Sequence, residues 1–354
     1  MGRLIQVSWI LTILHIALFY HIHAQSNTFE KLYFMEPYTN GKNPVYSQTL
    51  ELESFTDGGF CTLGIVTDTT NRSQGVLSRF DCLGKPLWSI LLGNSITGNN
   101  TNMGITESDS SDIVFAFPLA SSFFQATTLI GRVSKSGKIL WMKRIGTSFE
   151  IGRDISPTLD GGFVIAGSTS AYGSDSQADD IYLVKIDSLG NILWTKTFGN
   201  PAGTYDEAFA VKTDAENNII VTGWCIADGT FQAFILKADN NGNPIKFKTF
   251  GANNQRTKAL DLYIDDHNNY YITGFTTLLE IDHSSSENDA FLIKVNSDLI
   301  PVYTNIYEPI LGGDYSTIGE KICQGQDGKI IIGVSTMAFT THSTGFVPNK
   351  NAIY

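Results

Sequence analysis

The sequence predicts an all-β fold of repeated four-stranded antiparallel sheets, and three observations predict it. First, Trp88, Trp141 and Trp194 stand 53 and again 53 residues apart, each in a segment of one form: FDCLGKPLWSILLG (80–93), VSKSGKILWMKRIG (133–146) and IDSLGNILWTKTFG (186–199). The series continues, weakened, as ADNNGNPIKFKTFG (238–251) and VNSDLIPVYTNIYE (295–308). Second, a companion motif precedes each of these: DGGFCTLG (57–64), SSDIVFAF (110–117), DGGFVIAG (160–167), ENNIIVTG (216–223) and HNNYYITG (267–274), with a sixth copy, QDGKIIIG, at 326–333. Third, no 3.6-residue apolar period is sustained anywhere, so helices are absent or trivial.

The third unit shows the order of elements. Strand A is expected over 154–159, with Asp160-Gly161-Gly162 as a tight turn. Strand B covers 163–168 and runs into a longer loop. Strand C, 181–186, passes through Asp187-Ser188-Leu189-Gly190-Asn191 into strand D, 192–198. Asn, Asp and Gly supply the positive φ that tight hairpin turns need, and Val/Ile/Tyr/Phe/Trp runs suit a pleated, half-buried backbone. Four antiparallel strands in a repeat of ~50 residues are the signature of a β-propeller blade. One blade cannot bury both faces alone, and the recurrent Trp is the natural wedge between neighbours. A β-sandwich explains the fixed spacing less well. The 354 residues also exceed the ~250–300 at which a single hydrophobic core stops growing, so an array of small cores is expected.

The expected propeller is six-bladed, with five whole blades and one shared between the termini. Residues 29–34 (FEKLYF) resemble a strand D without a preceding A to C. Residues 319–335 supply A and B of the last blade, and Asn351-Ala352-Ile353-Tyr354 aligns with the opening of strand C. Because the chain stops as that strand begins, truncation is expected. Such sharing would remove an open sheet edge.

Residues 1–24 read as a signal peptide: Arg3, an apolar stretch from Val7 to Tyr20, and Ala24 before a cut at Gln25. The propeller is then 25–354, with no transmembrane helix in the mature chain. Cleavage leaves 23 basic against 35 acidic side chains, net −12. That balance, without any basic cluster, excludes nucleic acid as a partner. The four cysteines show no CxxC spacing, so a zinc site has no support. Cys61 and Cys82 fall near neighbouring strands and could form a cross-strand disulfide or stay separate thiols.

On these residues the chain resembles the secreted bacterial β-propeller repeat proteins. DDIYLVKIDSLGNILWTKTFG (179–199), YDEAFAVKTDAENNIIVTG (205–223) and ENDAFLIKVNSDL (287–299) carry the resemblance, which covers about 48–336. It implies an exported, often cell-surface protein of the bacterial envelope and says little about activity, since that group is defined by its scaffold.

Tight A–B and C–D turns belong on one end of a propeller, and the B–C loops and D–A connectors on the other. The second set varies: 168–180, 275–288, 94–103 and 200–206. Variable loops on a rigid scaffold are where binding resides. This end carries Tyr172, Asp175, Asp179, His283 and Glu287, residue types that suit sugars or cations; solvated polar loops are the plain alternative. Counting back thirteen residues from the end of each companion motif reaches Glu51, Asp154, Asp261 and Glu320, with Gly104 and Ala210 in the other two units. Four such carboxylates could bind Ca²⁺, a hard cation that takes 6–8 oxygens. A pair of them could serve as glycosidase acid and nucleophile. A third reading has them point between blades and accept from backbone amides. The expected protein is thus a monomeric, secreted or cell-surface, non-catalytic propeller that binds a glycan, protein or envelope partner through its loop-rich end. The alternatives are a carboxylate-dependent glycan-active enzyme and a truncated remnant.

Overall fold

The computed structural model describes residues 46–67, 73–94, 103–122, 125–170, 179–199, 205–252, 255–278, 288–307, 315–325, 327–338, 347–348 and 352–353. The chain forms two compact units, Met1–Thr147 and Ser148–Tyr354. The first holds β1 (Tyr46–Ser54), β2 (Phe60–Thr67), β3 (Ser73–Phe80) and β4 (Pro86–Asn94) in one antiparallel sheet. Its second sheet is β5 (Gly104–Glu107), β6 (Ile113–Ser122), β7 (Gln125–Val133) and β8 (Ile139–Ile145). The second unit holds four sheets. Sheet three is β9 (Glu150–Pro157), β10 (Phe163–Thr169), β11 (Asp180–Ile186) and β12 (Ile192–Phe198). Sheet four is β13 (Glu207–Thr213), β14 (Ile219–Ala227), β15 (Thr230–Ala238) and β16 (Pro244–Phe250). Sheet five is β17 (Gln255–Ile264), β18 (Tyr270–Leu278), β19 (Asn288–Val295) and β20 (Pro301–Tyr307). Sheet six is β21 (Tyr315–Gln324) and β22 (Ile330–Ala338), with β23 (Val347–Pro348) and β24 (Ala352–Ile353) both paired to β22. Six sheets, five of them ordered as the chain runs and all free of helix among the described residues, are the all-β, six-bladed β-propeller class that the repeat predicts.

Strands B to D of the third unit fall where the repeat places them. Strand A runs Glu150–Pro157, earlier than expected, and contains a bulge. Ala166 faces Asp154 and Gly167 faces Gly152, so Arg153 is the extra residue. The bulge also explains the glycine that ends the companion motif. A Cβ on Gly167 would lie 1.7 Å from the Ile151 carbonyl oxygen, and Gly223 and Gly274 meet strand A in the same way. In sheet six, β24 occupies the third-strand position expected of the last residues, with Ala352 opposite Val334 and Ile353 opposite Gly333. Residues 29–34 lie outside the described residues.

Burial follows position within the sheet. Central strands such as β10 and β14 are covered on both faces, while β12, β16 and β20 are largely exposed. Apolar side chains therefore gather between consecutive sheets. Leu63, Leu77, Phe115 and Phe117 fill the space between the sheets of the first unit. In the second, Leu183, Val221 and Phe234 pack between sheets three and four, Ile235, Ile272 and Phe291 between four and five, and Leu292, Ile322 and Ile332 between five and six. These are the small cores in series that the chain length requires.

Trp88 and Trp194 lie at the edges of these cores. Trp88 Nε1 donates to the Lys135 carbonyl in the next sheet at 3.0 Å, and Trp194 Nε1 to the Asn240 carbonyl at 3.2 Å. Lys246, at the Trp position of sheet four, donates to Asp298 of sheet five, so a cation replaces the indole. At the same end, a strand-C cation sits under the A–B turn in sheets one to five. Arg79 pairs with Asp57, Arg132 with Asp112, Lys185 with Asp160, Lys237 with Asp214, and Lys294 with Asp265. Although burial opposes it, the bonds from Lys135 and Arg79 hold the Asp57 carboxyl well below the usual range.

Of the two readings of Cys61 and Cys82, the structure shows separate free thiols. Cys61 is buried on β2 opposite Arg79, while Cys82 lies beyond the end of β3, exposed in the turn to β4. That turn carries the second thiol away from the first.

Candidate functional site

Of the loop residues singled out in the sequence, Tyr172, Asp175, His283 and Glu287 lie outside the described residues. Asp179 is described, half-buried at the start of strand C in sheet three, and its carbonyl accepts from Asp206 N at 2.7 Å. Burial pushes its carboxyl up to about 6; Glu207 and Asp180 add to the shift and Arg153 opposes it.

Around Asp179 the structure gathers side chains that the sequence reading did not single out. Arg153, the bulged residue of β9, is buried, and its Nη2 bonds Glu207 Oε2 on the next sheet at 2.8 Å. Its guanidinium lies 4.7 Å over the Phe209 ring, and its Nε has no hydrogen-bond partner among the described residues. Asp206 ties the two sheets together, since its Oδ1 accepts from Ile226 N on β14 while its own amide bonds Asp179.

Sheet four contributes a rigid tip. β14 and β15 join through Asp228 and Gly229, with φ of 51° and 78°, the pair of positive angles that a two-residue type I′ hairpin requires. This short turn, placed where sheets three and five have long loops, holds Trp224 and Phe231 as diagonal cross-strand neighbours. Their rings meet edge to face at 4.8 Å. From sheet five, Lys258 Nζ lies 3.9 Å over Trp224 and 4.8 Å over Phe231, and Arg256 lies 5.6 Å over Phe231. Two residues apart on β17, these cations project on one side of the strand. Burial lowers the Lys258 ammonium below its ordinary range, Glu207 opposes that, and Arg256 and Arg153 reinforce it. The outcome is a surface of fixed cations on aromatic faces beside two carboxylates.

Two of the strand-A carboxylates accept from backbone amides of the next sheet. Asp154 accepts from Val211 N of the next sheet at 2.8 Å and from Ile155 N at 2.8 Å; Asp261 accepts from Ile322 N of its next sheet at 2.9 Å. Lys212 stands 3.8 Å from Asp154. Burial raises the Asp154 carboxyl, Lys212, Lys321 and the Val211 amide pull against it, and Asp261 adds to the rise. Glu320 is displaced from this set. It is the bulged residue of β21, bonded to Ser335, and Lys321 takes the position that Asp154 and Asp261 hold in their sheets. Among the described residues no group of three His, Cys, Asp or Glu could hold a metal ion, Glu51 included. The third reading therefore describes Asp154 and Asp261: they latch one sheet to the next.

The class defined by fold and site is the β-propeller. No protein-family model and no curated protein matches the chain. Solved structures similar to it include an α-L-arabinofuranosidase from Fusarium graminearum, at TM-score 0.49 and 10% identity over 81% of this chain and 88% of that one. A glucose dehydrogenase gives TM-score 0.46 and 11% identity over 82% and 96%. The β-propeller domain of the Trilobed protease from Pyrococcus furiosus gives 0.41 and 10% over 85% and 85%. At these identities none of them extends a ligand or an activity to this chain.

Proposed function

We propose that this protein is an exported, monomeric, non-catalytic β-propeller that binds a glycan through the loop end of sheets three to five. The observation that carries the reading is the cluster built on the Asp228-Gly229 hairpin: aromatic rings, cations and carboxylates fixed by cross-sheet bonds at the B–C end of these sheets. Saccharides are recognised by a few rigid apolar faces with convergent polar groups, and the site supplies both. Export rests on the reading of residues 1–24, and among the described residues no helix is long and apolar enough to cross a membrane. Binding of the purified protein to a glycan array tests the proposal. Retention on one saccharide class supports it, and a blank array moves the reading to a protein partner. Edman sequencing of the exported product tests cleavage before Gln25.

A glycan-active enzyme is a second reading, favoured by Asp179 and Glu207. One carboxyl is held up to about 6 beside another that is ion-paired to Arg153. A carboxyl kept protonated by burial is suited to the acid of such a pair. Release of reducing ends from a bound glycan, abolished in both D179N and E207Q, would support it. Binding without turnover would leave the non-catalytic reading in place.

A further inference from the structure

We infer that the saccharide taken at this end is anionic, its negative group docking on Lys258 and Arg256. The inference rests on the glycan reading above and adds the charge of the ligand. At the turn end of the sheets, cations are matched with acids: Arg79, Arg132, Lys185, Lys237 and Lys294 each pair with an aspartate. Lys258 and Arg256 depart from this. Among the described residues neither makes an ion pair or a hydrogen bond, and both rest on ring faces, Lys258 on Trp224 and Phe231 and Arg256 on Phe231. A cation held over a ring is oriented without spending its N–H donors, so the donors stay available to an incoming acceptor. Arg153 makes the same point from sheet three. It is 8% exposed, and although Nη2 bonds Glu207, its Nε is without a partner among the described residues.

Among the described residues, the side chains around Lys258 do not neutralise the group. Glu207 attracts it while Arg256 and Arg153 repel it, and burial disfavours its charged form. An anion contributed by a ligand would supply a counter-charge that the described residues do not. The net charge of −11 weakens long-range attraction of polyanions, but it is screened beyond roughly 8–10 Å at physiological salt, whereas a docked anion sits within hydrogen-bond distance. A short anionic saccharide therefore fits better than a long polyanion. Carboxylate and sulfate esters share this chemistry, and Arg256 adds a planar fork suited to either.

Affinity of the full-length chain for trigalacturonate and for its fully methyl-esterified form, measured by calorimetry at pH 7 and low salt, tests this directly. The acid form is expected to bind at least tenfold tighter, with affinity falling as salt rises. A sulfated galactan trisaccharide against its desulfated form asks the same of sulfate, and the arm with the larger ratio identifies the anion. The double variant K258Q/R256Q should bring each ratio to within twofold, while K258R restores most of it; thermal melts of both variants show whether they fold. Equal affinity for charged and uncharged forms, or a ratio that survives in folded K258Q/R256Q, overturns the inference and leaves the glycan reading standing. Failure of both charged probes while neutral glycans bind the array also overturns it alone. No binding to any saccharide removes the glycan reading itself.

Discussion

Asp179 shows how one residue can set a pH response. Its carboxyl titrates at about 6, above the ordinary 3.8, because burial and then the charges of Glu207 and Asp180 disfavour ionisation more than Arg153 favours it. For an acid shifted upward, the native state holds its proton to higher pH than the unfolded chain. The protonated group's advantage is complete below about 4 and is lost as pH rises towards about 6. D179N should therefore raise the melting temperature at pH 8 and leave it unchanged near pH 4, as thermal melts at the two pH values would show. The same titration bears on binding. With Asp179 neutral, the site formed with Arg153, Glu207 and Asp180 is less negative, so an ionised uronate should bind more tightly at pH 5 than at pH 7.5, and D179N should flatten that difference. Asp154 is a different case, since its oxygens serve two backbone amides. D154A strands the Val211 amide and should cost about 1–3 kcal/mol in denaturant unfolding, with D154N milder. The loss should be the same with and without calcium.

Individual elements repay the same reading. The turn between β15 and β16 must admit the indole of the preceding sheet, and Gly242 allows this at φ 74°; a Cβ there would lie 2.8 Å from the Trp194 ring. G242A combines a left-handed backbone with that clash and should destabilise by about 1–3 kcal/mol in chemical denaturation. In sheet five, Leu299 occupies the equivalent turn position at φ 61°, so the fold tolerates a side chain where no tryptophan presses on the turn. The turn residues and the Trp series were legible because both act over a few residues. The sixth unit departs from the spacing of the others for an equally local reason. QDGKIIIG has one residue fewer than DGGFVIAG between its turn Asp and its closing Gly, so counting from the glycine reached Glu320 where the sheet places Lys321. The bulge in strand A was not legible. Arg153 looks like any polar residue beside an aspartate until pairing shows it to be the extra one.

At the scale of the molecule, stability is spread over several cores. Each apolar cluster lies between two consecutive sheets, and outer strands such as β12, β16 and β20 share little of it. Repeats joined this way unfold from their least-covered elements inward. In native-state hydrogen exchange, amides of β12, β16 and β20 should exchange well before those of β10, β14 and β18. Equal protection across each sheet would mean that the outer strands are held by something the sheets themselves do not supply.

Sequence by itself determined the repeat, the four-strand unit, the turn chemistry and the tryptophan wedge, because period-two burial and positive-φ turns are properties of short stretches of chain. The tertiary structure decided which polar residues work together. Arg153, Glu207, Trp224, Phe231, Arg256 and Lys258 come from three sheets, and what brings them together is a one-residue bulge, a two-residue hairpin and the packing of sheet on sheet. A repeat specifies what its units share. The site is built from where they differ, and those differences acquire meaning only when the sheets are side by side.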